Sequence, residues 1–314
     1  MVKSLEVFVV ALVISASSPA ADSLWLSALP APVQADVRER PVPTFQNGFI
    51  VSYNQTVGDV WLFDKNGART NNVRLAIPDA SVMRVNDAAA APDGRIAILA
   101  TAATADGKAA PFIAWLNAAG GVDKVMRTTP FVPSWISFTQ DGTLWAVGHL
   151  YNEQHTKDVP PHDVLWRFSG DGNLLQTFLP STSFSATWPS TQSRLTASGN
   201  TVAIYFEKTR EWVEIDGSSG KVSGRWIVSV PPKGTVQAIA LTSSSTAILD
   251  VGLEDQNKVF KSNFFRLDRP SGKLTALDAS KLGPYTILLG ADADKLVMMG
   301  SEGGTFQFAI ADLK

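Results

Sequence analysis

The chain has 314 residues, 45% of them apolar and 18% charged, which is enough to bury a large core and too hydrophobic for a disordered protein. A formal net charge of -2, with no basic run interleaved with aromatics, argues against a surface that tracks phosphates, so no nucleic-acid partner is expected. Cysteine is absent, which excludes disulfides, thiolate metal sites, a cysteine nucleophile and a lipidated cysteine.

Residues 1–20 read as a signal peptide: Lys3 near the start, an apolar core over 7–16, then Ser18 and Ala20 spaced for cleavage before Ala21. Glu6 is the one untidy residue in this leader. The apolar run is shorter than the ~20 residues a spanning helix needs, and no later stretch approaches that length. After signal cleavage no membrane span is therefore expected, and the location is periplasmic or extracellular, held together by its core alone. Residues 21–43 are Pro-rich and weakly patterned, a segment that ordinarily serves as a linker.

From residue 44 onward the chain divides into repeats. Each has a strand ending in a tight turn, a second strand, a loop, a third strand, another tight turn and a fourth strand. The first turns fall at Asn47-Gly48, Asp93-Gly94, Asp141-Gly142, Gly199-Asn200, Ser244-Ser245 and Ala293-Asp294, spaced by 46, 48, 58, 45 and 49 residues. The third strands recur in phase as VWLFDKNGA, FIAWLNAAGG, VLWRFSGDGN, EWVEIDGSSGK, FFRLDRPSGK and TFQFAIADLK. Trp61, Trp115, Trp166 and Trp212 take similar places in four of them, where packing between adjacent sheets explains them better than sugar stacking does.

Short strands, frequent turns and a period near 50 residues predict an all-β fold, a six-bladed β-propeller with four antiparallel strands per blade. A helix-period stripe is hard to find, which argues against an α/β enzyme. The last repeat ends after its third strand, so an N-terminal strand is expected to close that blade, with residues 33–40 the candidate.

The units WLFDKNGARTNNVRL and LWRFSGDGNLLQTF, with APDGRIAIL and TQDGTLWAV, resemble repeats of the NHL type and of TolB-like six-bladed propellers. The resemblance covers nearly all of residues 44–314 and implies the fold. Members of this broad group include binding scaffolds, lactone hydrolases and lyases, so the fold does not choose among them. A regucalcin- or gluconolactonase-like enzyme would carry an early Glu-Gly-Pro motif and acidic and amide metal ligands; this chain has no Glu-Gly-Pro.

In a propeller the blade connections and the second-to-third strand loops share one face, around the mouth of the central channel. Aligning the first strands by their turns puts Arg40, Asn86, Ser134, Gln192, Gln237 and Thr286 at one position, seven residues before each turn. All are polar and would line a hydrated mouth, as the wall of any wet channel or as a site for a small polar ligand. Neighbouring Arg84, Asp87, Trp135, Arg194 and Tyr285 add charge and aromatic surface. All three histidines, His149, His155 and His162, fall in GHLYNEQHTKDVPPHDV, the longest second-to-third strand loop. Imidazoles with nearby carboxylates are zinc ligands, but the spacing fits no known motif and a solvated loop accounts for them too.

No Gly-x-Ser-x-Gly elbow and no phosphate-binding Gly-rich loop is found, and ADADK at 291–295 reads as a plain hairpin. The expectation is a monomeric, non-catalytic binding or scaffold protein without a cofactor, recognising a small polar molecule or a protein partner at the channel mouth. The alternative is a lactonase-like hydrolase or lyase using a divalent metal there.

Overall fold

The computed structural model describes residues 23–28, 42–55, 58–65, 67–150, 160–184, 193–254, 260–302 and 305–313. Each predicted turn closes an antiparallel hairpin. Gly48, Gly94 and Gly142 sit at φ +86°, +82° and +78°, a region closed to most side chains, and Asn47 before the first of them is at +51°. Four strands are laid down in sequence order to make each of five sheets. Their innermost strands are Val42–Gln46, Ala80–Ala90, Phe131–Phe138, Ser193–Ser198 and Thr235–Leu241, and that of the sixth sheet is Tyr285–Asp292. Each innermost strand touches those of the blades on either side, and the sixth meets the first, which closes a six-bladed propeller.

The sixth blade takes its fourth strand from the N-terminal side of the chain, but from Ser23–Ala28 and not from residues 33–40, which lie outside the described residues. Ser23–Ala28 runs antiparallel to Thr305–Leu313, with Leu24 opposite Leu313 and Leu26 opposite Ala311. Its other edge is covered in parallel by Asp278–Lys281, a fifth strand that no repeat predicts. Leu24 is fully buried, a placement that contributes about 1.5–3 kcal/mol for a leucine.

The core is divided among the blade interfaces, with one apolar cluster at each of the six junctions. The tryptophans of the third strands pack there. Trp115 of blade two meets Phe168 of blade three edge-on at 5.7 Å, and Trp212 is fully buried between blades four and five. Gly172 is required beneath Trp115, since a Cβ there would stand 2.8 Å from the indole. Asp294, from the 291–295 hairpin, accepts hydrogen bonds from the Ser243 hydroxyl and the Ser244 amide, so it ties blade six to blade five. No helix among the described residues is long and apolar enough to cross a membrane.

Candidate functional site

The innermost strands surround a cavity of about 340 Å³ to which every blade contributes. At the turn face, side chains of blade one cross its end. The Asn47 amide donates to the carbonyls of Ala90 and Phe138, at 2.9 and 3.1 Å, on blades two and three. Gln46 donates to the Ile136 carbonyl at 3.4 Å and accepts the Phe138 amide at 3.3 Å. Neither residue is a sequence candidate, because their hydrogen-bond partners lie 43 to 92 positions away.

Of the sequence candidates, Asp87, Trp135, Arg194 and Gln237 line the cavity. Arg84 is exposed and donates to Gln55. Asn86 donates to the Thr101 hydroxyl at 2.8 Å and offers its carbonyl to Tyr53, between blades one and two. Tyr285 is buried in the blade-six core with its hydroxyl on Gln307, Thr286 is exposed and Ser134 half-buried, and none of the three lines the cavity. Arg40 and Gln192 lie outside the described residues.

β-Bulges account for this sorting. Asn86, Ser134, Gln237 and Thr286 are each skipped in the pairing of their innermost strand with its neighbour. A bulge leaves one residue unpaired and re-aims the side chains that follow it. The polar ring seven residues before the turns is thus a ring of bulges in four blades, and in blades two and three the next residue, Asp87 or Trp135, reaches the cavity.

Asp87 and Asp250 are the acids in the wall, each 2% exposed. Asp87 accepts the Ala88 amide at 2.9 Å and the Ile136 amide of the next blade at 2.8 Å. Burial pushes its carboxyl up to about 7, against the pull of those amides and of Arg194. Asp250, in the second strand of blade five, accepts the Ser262 hydroxyl at 3.2 Å on Oδ2, while Oδ1 is buried without a hydrogen-bond partner. Burial raises it to about 6, and the Ser262 hydroxyl and the nearby Leu288 amide only partly oppose this. Its sequence signal is an acid interrupting the apolar run AILDVGL.

Arg194 is fixed by two main-chain carbonyls. Nε donates to Gln237 of blade five at 2.6 Å and Nη1 to Ser193 at 2.8 Å, while the guanidinium lies 4.9 Å from the centre of the Trp135 ring. Glu207 and Asp87 act on it electrostatically, but among the described residues it forms no ion pair. Arg194 also lines a second, smaller cavity of about 70 Å³, together with Ser193, Tyr205 and Glu207.

The two described histidines, His149 and His162, do not line this cavity. His162 Nδ1 donates to the Pro160 carbonyl at 2.9 Å, which leaves Nε2 to accept the Leu150 amide at 3.4 Å. His149 Nδ1 is buried without a partner, and burial, followed by the charge of His162, lowers its pKa. His155 lies outside the described residues, and among these no three His, Cys, Asp or Glu side chains gather around a common point.

No protein-family model and no curated protein matches the chain. Solved structures do. A member of the DUF4221 family from Bacteroides vulgatus is 10% identical, with a TM-score of 0.59 over 94% of this chain and 99% of that one. A protein from Bacteroides fragilis described as exported is 11% identical, with a TM-score of 0.55 over 93% and 95%. The calcium-binding protein regucalcin from Agrobacterium tumefaciens is 12% identical, with a TM-score of 0.52 over 92% and 95%. At these identities the likeness is one of fold. Both Asp87 oxygens are taken by amides and the guanidinium of Arg194 stands in the same wall, which disfavours a divalent cation at Asp87, whereas Asp250 Oδ1 is not engaged in this way.

Proposed function

We propose that the protein is an exported, monomeric, non-catalytic binding module that holds one small molecule in its central channel. The observation that carries this reading is the cavity itself: all six blades line it, Gln46 and Asn47 cross it at the turn face, and Arg194 offers it a cation without an ion-pair partner among the described residues. A concave, partly apolar site with a few fixed polar groups is what small-molecule recognition uses. The leader pattern over residues 1–20 supports export, and so does the likeness to the Bacteroides fragilis protein. A metal-dependent lactonase-like activity is the weaker reading, because Asp87 is held by two amides and Arg194 shares the wall with both acids.

Thermal unfolding of the purified protein against a panel of carboxylates, sugars, amines and lactones tests this. A ligand at a hundredfold excess over its Kd raises Tm by roughly 5 °C or more. Thr196→Trp, which places an indole in the channel wall, is expected to abolish that rise. A rise that persists in Thr196→Trp, or conversion of a panel lactone to its hydroxy acid, overturns the reading.

A further inference from the structure

We infer that the channel ligand is a small amphipathic monocarboxylate, its carboxylate held by Arg194 and its apolar body against blades five and six. This rests on the channel being the binding site and names the chemistry of what enters it. A guanidinium has five N–H donors, and the hydrogen bonds of Arg194 to Gln237 and Ser193 leave three without a partner among the described residues. Those two bonds, with Trp135 against one face, hold the fork in a fixed orientation before any ligand arrives. A planar, pre-oriented fork with no ion pair among the described residues matches a carboxylate in bidentate geometry.

Arg194 is the one cation among the described residues that line the cavity, which suits a monoanion better than a phosphate dianion. Ile239, Ile287, Leu288, Leu289 and Met299 line the same cavity, and such a surface favours a hydrocarbon body over a polyol. Asp87 and Asp250 are both pushed by burial toward their neutral forms, which reduces their repulsion of an incoming anion.

Calorimetry on the purified protein with hexanoate, hexanamide and inorganic phosphate tests the assignment. Hexanoate is expected to bind at least tenfold more tightly than its neutral isostere hexanamide, and more tightly than phosphate. Arg194→Met is expected to lose at least tenfold in hexanoate affinity, with Arg194→Lys between it and the wild type. Equal binding of hexanoate and hexanamide, phosphate binding as tight as hexanoate, or no hexanoate binding overturns the assignment. The comparison of ligands on the unaltered protein does not depend on how the variants fold. If the carboxylate preference fails while some other panel ligand is blocked by Thr196→Trp, only this inference falls. If hexanoate binds Thr196→Trp as well as wild type, the channel reading falls with it.

Discussion

The two ends of the channel treat polar groups in opposite ways. At the turn face, the Asn47 amide spends its donors on carbonyls of two other blades, and Gln46 both donates and accepts across the axis. On blades four and five, Arg194 keeps three donors without partners among the described residues, and one Asp250 oxygen is buried without a hydrogen bond. Buried polar groups are normally satisfied, and each exception destabilises the fold. The contrast separates an end that holds the ring together from the end that we propose is receptive.

The largest expected effect is at the satisfied end. Asn47→Ala removes two inter-blade hydrogen bonds and leaves a residue poorly suited to φ +51°, for a loss of about 2–3 kcal/mol in urea unfolding. Asn47→Gly should lose less, because glycine accepts that backbone; a greater loss for Gly would remove backbone strain from the account.

At the receptive end, Asp250→Asn should stabilise. A carboxyl whose folded pKa is raised from 3.8 to about 6 contributes most below the lower value, and that contribution is lost as pH rises through the higher one. The variant should therefore gain about 2 kcal/mol over wild type at pH 8, with the gain fading between about pH 6 and 4. Unfolding curves across that range check it, and a gain that is constant with pH would rule out titration of Asp250 as the cause.

Gln46→Ala should cost about 1 kcal/mol, less than Asn47→Ala, because its hydrogen bonds are long at 3.3 and 3.4 Å. The smallest stability effect is expected for Trp135→Leu. Loss of its contact with the Arg194 guanidinium removes about 0.5–1 kcal/mol, and hexanoate affinity should fall a few-fold as the fork loosens. Unchanged affinity in that variant would mean the indole does not orient the arginine.

Sequence reading was most successful where structure depends on local chemistry. The turns were legible because Asn, Asp and Gly at positive φ announce themselves, and the third strands because they recur in phase with those turns. The closing strand was expected from the right end of the chain but in the wrong place. Ser23–Ala28 directly follows the apolar leader, which masks its Leu24 and Leu26 alternation, and its partner Thr305–Leu313 is almost a whole chain away.

Counting side chains back from a turn assumes unbroken alternation. The bulges at Asn86, Ser134, Gln237 and Thr286 break it, and they arise from strand pairing that no local pattern displays. Asp250 was visible as an acid within an apolar strand, but it stands on the second strand of its blade, outside any count made along the innermost ones.

The closure by Ser23–Ala28 also sets a timetable for biosynthesis. Its partner, Thr305–Leu313, leaves the ribosome long after Ser23–Ala28 does, with five complete blades made between them. The first five blades have all their strands before then, each from contiguous sequence, while the ring is still an open arc. Until Thr305–Leu313 is made, Leu24 has no core to enter, and the early strand is an unpaired edge open to pairing with another nascent chain. Ring closure is the slow, long-range event of this fold, and the step at which a chaperone that shields strand edges would have most to protect.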